Sequence, residues 1–280
     1  MEKIYFDNLK VKDFMHSKES FSLLYKQEFA AYKTSPVPEN LDFYYEHEDY
    51  ISHTDSNKGL VNYLYQKVKV VNLRKKLSWV NTCVESGASV LDMGCGTGDF
   101  LQIMQSNNFR ITGIERSSQA RTIAEKKLGI RVYEDIEMLE DQKFDCITLW
   151  HVFEHLDNPE NYLKIFKSML NPNGVLIVAV PNYESFDAQY YRQYWSAFDV
   201  PRHLWHFSKK SFEVFSQNLG FGLIKVKGMF FDAFYISLMS EKYKGENFSL
   251  IKGICIGGLS NIRAFFNNNY SSMVYFMKKN

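Results

Sequence analysis

The residues whose types and spacing bear most directly on chemistry lie in the run Val90-Leu-Asp-Met-Gly-Cys-Gly-Thr-Gly-Asp99. An apolar strand leads into Gly94, Gly96 and Gly98 and continues straight into a helix. Backbone without Cβ atoms is thereby offered to a ligand at the strand's carboxyl end. The next apolar run ends in Gly113-Ile-Glu115, and Glu115 follows Gly94 by 21 residues. An acid at the tip of a second strand can accept both hydroxyls of a ribose. Together these features describe an adenosine-containing ligand laid across two neighbouring strand ends. Dinucleotide sites use G-x-G-x-x-G and rest a pyrophosphate on the helix N-terminus, where Asp99 would repel it. A zwitterionic methionine tail tolerates that carboxylate, so an NAD-dependent oxidoreductase is the alternative reading and not the first.

Histidines supply the second set of candidates. His151-Val-Phe-Glu-His155 matches H-x-x-E-H, a zinc-site spacing that requires both histidines on one helix face. Here a β-type run, CITLW, leads directly into it, and Asn158-Pro159 follow before the next helix. No metal is therefore expected. His203 and His206 sit in PRHLWHF, within an aromatic stretch. By placement His155 and His203 are the leading candidates for a base, with His151 and His206 behind them. Each also has a structural reading, capping a turn or bonding backbone inside an aromatic lid.

These residues need a scaffold, and the hydrophobic pattern describes one. Strands are expected at ASVLDMG, RITGIER, IRVYED, KFDCITLWHV, GVLIVAVPN, FGLIKVKGMF and SSMVYFMKK. Helices are expected over 59–81, 99–108, 117–129, 158–170 and 209–220, with a less regular segment before the last strand. Such alternation predicts an α/β fold, Rossmann-like and doubly wound, with a mostly parallel seven-stranded sheet and helices on both faces. Residues 1–58 form a small N-terminal extension and 59–280 the main domain. An aromatic insertion at about 182–208 stands where α/β proteins build substrate pockets. The basic helix around Lys67–Lys76 reads as a solvated face.

VLDMGCGTGDFL, GIERS, FDCITLWHVFEHLDNPENYL and LNPNGVLIVAVPN resemble the successive motifs of class I S-adenosylmethionine (SAM)-dependent methyltransferases. The group that includes the ubiquinone-biosynthesis O-methyltransferases is the most similar. The resemblance covers about residues 60–230 and implies SAM as cofactor. By that resemblance Gly94, Gly96 and Gly98 line the methionine part, with Asp92 orienting the loop. Glu115 binds the ribose, Asp135 and Ile136 hold the adenine, and Trp150 and His151 flank the methionine near the transferred methyl. Residues 1–58 resemble an extension that in some members is a zinc ribbon with paired cysteines. No cysteine precedes Cys83 here, so a degenerate ribbon, and a possible lid, is the expectation.

Composition bounds the rest. The 280 residues carry 33 Lys+Arg against 32 Asp+Glu, a net charge of +1 that argues against a dedicated nucleic-acid binder. A small or medium organic acceptor, methylated at oxygen, is the expected partner. A SAM-binding protein without turnover is the other alternative. Four scattered cysteines without a C-x-x-C pair read as reduced thiols. With no signal-like N-terminus and no apolar run of membrane-spanning length, the expected location is cytoplasmic.

Overall fold

The computed structural model describes residues 5–45, 60–139, 141–245 and 250–279. The second half of the aromatic and acidic stretch 41–50 lies outside them.

The main sheet has six strands. β4 (Ser89–Met93), β5 (Arg110–Ile114), β6 (Phe144–Trp150) and β7 (Leu170–Pro181) run parallel, and β10 (Ser272–Lys279) lies antiparallel between β7 and β9 (Phe221–Gly228). The spatial order is β5-β4-β6-β7-β10-β9. The seventh strand, expected at IRVYED, is reduced to a single parallel bridge between Ile114 and Tyr133. That run lies beyond β5 with one neighbour only, and the 3-10 turn Ile136–Leu139 follows at once, leaving room for one pair.

Strand residues alternate between two buried layers, as a sheet covered on both faces requires. Leu91, Ile147, Leu176, Val178 and Tyr275 pack on one side with α4 (Pro159–Met169) and α6 (Lys209–Leu219). Val90, Cys146, Ile177, Val274 and Phe276 pack on the other, with α1 (Leu60–Asn81) and α2 (Asp99–Gln105). α3 (Ser118–Leu128) is punctuated by its own sequence. Ser117 accepts the Ala120 amide at 3.3 Å, and Gly129 ends the helix at φ 67°.

A second, antiparallel sheet joins the N-terminal extension to the insertion. β1 (Leu9–Lys12), β2 (Ser20–Lys26) and β3 (Ala31–Ser35) come from the extension, and β8 (Trp205–His206) comes from the insertion. Phe6, Phe21, Leu23 and Tyr32 share one buried cluster with Tyr191, Trp195 and Phe198. The insertion also carries α5 (Phe186–Tyr191). The segment read as less regular forms two helices, α7 (Asp232–Lys244) and α8 (Leu250–Asn267). No helix among the described residues is long and apolar enough to cross a membrane.

Candidate active site

The glycine loop leaves β4 at Met93. Amides of Gly94 and Cys95 both donate to the Ile114 carbonyl, at 2.8 and 2.9 Å, which pins the loop to the end of β5. Gly94 has φ 70°, and a Cβ there would collide with Val152. Gly96 has φ 54°, and a Cβ there would meet nothing within 4 Å. One glycine is thus demanded by packing, while the other leaves an open cradle. The Glu115 carboxylate reaches this cradle, accepting the Gly96 amide at 2.8 Å and the Ser117 amide at 2.9 Å. Asp92 lies beneath, fully enclosed, and accepts the Thr148 hydroxyl at 2.6 Å. Burial pushes its carboxyl up to about 7, against the pull of Thr148 and Lys76.

The loop opens on a cavity of about 640 Å³. α1 contributes Lys69, Asn72 and Lys76, and the strand ends contribute Trp150 and His151. The insertion contributes Ser196, Ala197, Asp199 and His203, and α7 contributes Asp232, Tyr235 and Met239. Met15, from the loop after β1, completes the wall. One side of the basic helix is therefore a cavity wall, while Lys67, Arg74 and Lys75 lie on its exposed side. Lys69 and Lys127 pair with Asp99 at 2.7 and 2.6 Å and hold its carboxyl below the usual range despite burial. That pairing compensates the charge on which the argument against a pyrophosphate rested. The Lys76 ammonium lies 4.6 Å from the Trp150 ring centroid. Burial lowers its pKa, while Asp92 and Asp232 act in the other direction.

The four histidines occupy four different environments. His151 directly follows β6, at φ 60°. Its Nδ1 lies 3.3 Å from Glu154 Oε1 and its Nε2 3.1 Å from Asp232 Oδ2. Burial disfavours the cation there, but the two carboxylates outweigh it and raise the pKa to about 9. His151 is thus an imidazolium at neutral pH, a donor and not a base. The neighbourhood of His155 acts the other way, since burial and the adjacent His203 depress it to about 4. His155 Nδ1 lies 3.0 Å from the Arg202 carbonyl and 2.9 Å from the Tyr45 hydroxyl.

His203 Nδ1 lies 2.9 Å from the Ala197 carbonyl, which can only accept, so Nδ1 carries the proton. In the neutral ring Nε2 is then a free lone pair, 4.0 Å from Asp199 Oδ2 in the cavity wall. His206 is buried away from the cavity, with Nε2 3.0 Å from Thr34 Oγ1, and burial keeps its pKa well below normal. Glu154, His155 and His203 each bring one ligand atom to within 4.8 Å of the others, a spacing that could hold a cation.

Asp135 and Ile136 do not line this cavity. Ile136 is buried in the main core, and Asp135 opens the 3-10 turn just after Tyr133, whose carbonyl accepts the Glu115 amide at 2.9 Å. Sequence reasoning did not find Lys76, Asp199, Asp232 or Met15, all of which face the cavity. Arg202 was also missed. It is 2% exposed and reaches Asp13 at 3.1 Å and Asp199 at 2.6 Å.

Comparison with known proteins bears on the same site. A family model described as a methyltransferase domain matches residues 68–226, more than half of the chain. A ubiquinone biosynthesis O-methyltransferase of Pasteurella multocida is 32% identical over 115 residues, covering 35% of this chain and 48% of that protein. An uncharacterised methyltransferase of Anoxybacillus flavithermus is 33% identical over 119 residues, covering 39% and 56%. The chain spans about half the length of the curated relatives it matches. Among solved structures, a possible histamine N-methyltransferase from Thermotoga maritima superposes with TM-score 0.52 at 22% identity, covering 79% of this chain and 96% of that one. A magnesium protoporphyrin IX methyltransferase from Synechocystis, with bound S-adenosylhomocysteine (SAH), gives TM-score 0.53 at 11% identity over 81% and 90%. These structural likenesses carry the fold, and nothing among the matches favours the nicotinamide reading.

Proposed function

Because the chain belongs to the methyltransferase-domain family, we propose that it moves the methyl group of SAM to an oxygen of a small or medium organic acceptor. The observation that carries the reading is the meeting of Glu115 with the open Gly96 cradle at the mouth of one cavity. A ribose-binding acid and a side-chain-free backbone are brought together there, as an adenosine ligand requires. In this reading Gly94, Gly96 and Gly98 take the methionine part and Asp92 orients their loop. Glu115 takes the ribose hydroxyls, and the adenine reaches past the cavity toward the turn at Asp135 and Ile136. Trp150 and His151 flank the methionine.

A bound sulfonium would supply a methyl group already activated for in-line displacement. The chain's own task is then to position the acceptor, exclude water and receive one proton. We assign the proton to His203 Nε2. The Ala197 carbonyl fixes the tautomer, and Asp199 stabilises the imidazolium that forms. His151, already protonated and clamped, holds its place as a donor. His155, depressed to about 4, stays neutral and packs against His203 with ring centroids 4.6 Å apart. A cation held by Glu154, His155 and His203 would occupy the lone pair needed for that proton. The metal-free reading therefore predicts turnover that survives chelators.

We further assign the extension 1–58 to the acceptor wall, through Met15 in the loop after β1, as part of one body with the insertion at about 182–208. The decisive test is calorimetric titration with SAM, SAH and NAD in parallel. Micromolar binding of both sulfur ligands, lost in Glu115→Ala, supports the reading. Binding of NAD alone overturns it.

A further inference from the structure

α8 is built inside out. The residues it turns toward the protein are Gly253, Ile256, Gly257, Ser260, Asn261 and Ala264, nearly all small or polar. Those it turns to solvent are large and apolar: Ile251 is 75% exposed, Ile262 58%, Phe265 74% and Phe266 80%. Leu250, Ile254 and Leu259 extend the same surface. On a soluble helix the small polar set would normally face outward. Here it lets two helices approach closely, since a Cβ on Gly257 would lie 2.9 Å from the Ala233 carbonyl oxygen of α7. α7 answers in kind, burying Ala233, Ser237 and Ser240. Small residues between helices and bulky apolar residues outward is the pattern of helices surrounded by lipid.

Charge narrows the occupant. Among the described residues of the two helices, every solvent-facing charge is positive: Lys242, Lys244, Lys252 and Arg263. The two acids are withdrawn, Asp232 onto His151 and Glu241 into the interior at 3% exposure, with Lys252 3.5 Å from its carboxylate and Lys242, Lys244 and Arg263 making up the rest of the positive rim. The bulk of the exposed face offers no hydrogen-bonding side chain. A protein partner would ordinarily find about one hydrogen bond per 100–200 Å². At 18 residues α8 is about 27 Å long, and it carries Lys252 and Arg263 near its ends, which suits lying in an interface and not crossing it.

We propose that the exposed face of α8 docks on an anionic lipid bilayer, its Ile and Phe side chains entering the acyl boundary and its basic residues meeting the headgroups. The proposal stands independently of the methyl-transfer reading. It also has a spatial corollary, because α7, which backs α8, lines the cavity with Tyr235, Ile236 and Met239.

Flotation of the full chain with vesicles tests the docking. Vesicles of phosphatidylglycerol and phosphatidylcholine should carry the protein, and pure phosphatidylcholine should bind about tenfold more weakly. The combined change Ile262→Ser, Phe265→Ser and Phe266→Ser should cut the binding by more than about tenfold, with SAM affinity unchanged. Binding that is absent, or indifferent to these changes, overturns the proposal. Should that variant fail to fold, Phe266→Trp serves instead: quenching of the new indole by brominated lipid is expected, and its absence is decisive against. Sedimentation equilibrium covers the rival occupant. A dimer that the serine changes dissociate, without vesicle binding, would reassign the face to a second copy.

Discussion

Arg202 Nη2 lies 3.1 Å from Asp13 Oδ1, across 189 positions of sequence. The same guanidinium grips Asp199, and its own carbonyl receives His155 Nδ1. One buried cation therefore ties the extension, the insertion and the loop after β6 into a single assembly. Asp13 in turn accepts the amides of Met15, His16 and Ser17. Burial works to raise its carboxyl, but the Ser17 and His16 amides and the Arg202 cation hold it below the usual range.

Removing that cation should be costly. Arg202→Ala leaves two enclosed carboxylates unpaired, which destabilises by about 3–5 kcal/mol in comparable sites. Urea unfolding should show this directly. A loss below about 1 kcal/mol would mean that water reaches the acids and that the latch is not dry.

Cofactor affinity should depend on Glu115. Glu115→Ala removes a charged acceptor of two hydrogen bonds and should weaken SAM binding roughly 10- to 100-fold. Glu115→Gln should retain part of the affinity, since the amide can still accept from Gly96. Calorimetry with SAH reads the same series without turnover.

The histidines should separate cleanly. His203→Ala should lower kcat by about 10²–10⁴ while leaving SAM affinity intact. His206→Ala should act on stability, having no contact with the cavity. Turnover in His203→Ala equal to the parent would remove it as the base. Loss of turnover on adding a chelator would instead favour a cation on Glu154, His155 and His203.

Stability should vary with pH in a manner the environments dictate. His151 is raised from 6.5 to about 9, so its clamp contributes fully below about 6.5 and is lost as pH climbs through 9. His155 is depressed to about 4, so its neutral burial favours folding above about 6.5 and costs stability as pH falls toward 4. Urea midpoints should decline on the alkaline side in the parent, and His151→Gln should flatten that decline.

How much of this was legible in the sequence depends on distance along the chain. The glycine loop and Glu115 are local features of two adjacent βα units, and spacing alone located them. Asp99 was seen, but its partner lysines arrive from α1 and from α3, so its electrostatic role was misjudged. Asp199, Asp232 and Arg202 became site residues only through tertiary packing that no local pattern announces. α8 was missed for a different reason. Gly253, Gly257 and Gly258 weaken the helical signal, and the apolar face points the wrong way for a buried helix. IRVYED was overread because a β-type pattern says nothing about how many partners the sheet edge supplies.

The pairing of β3 with β8 has a consequence for biogenesis. Tyr32 finds its strand partner at His206, and Lys33 at Trp205. During synthesis the first three strands must therefore wait for more than half of the chain before their sheet is complete. A three-stranded ribbon holding Phe6, Phe21 and Tyr32 has little to bury them against until Tyr191, Trp195 and Phe198 emerge. The second sheet can nevertheless close before the main one, whose central gap between β7 and β9 waits for β10, the last strand to be made.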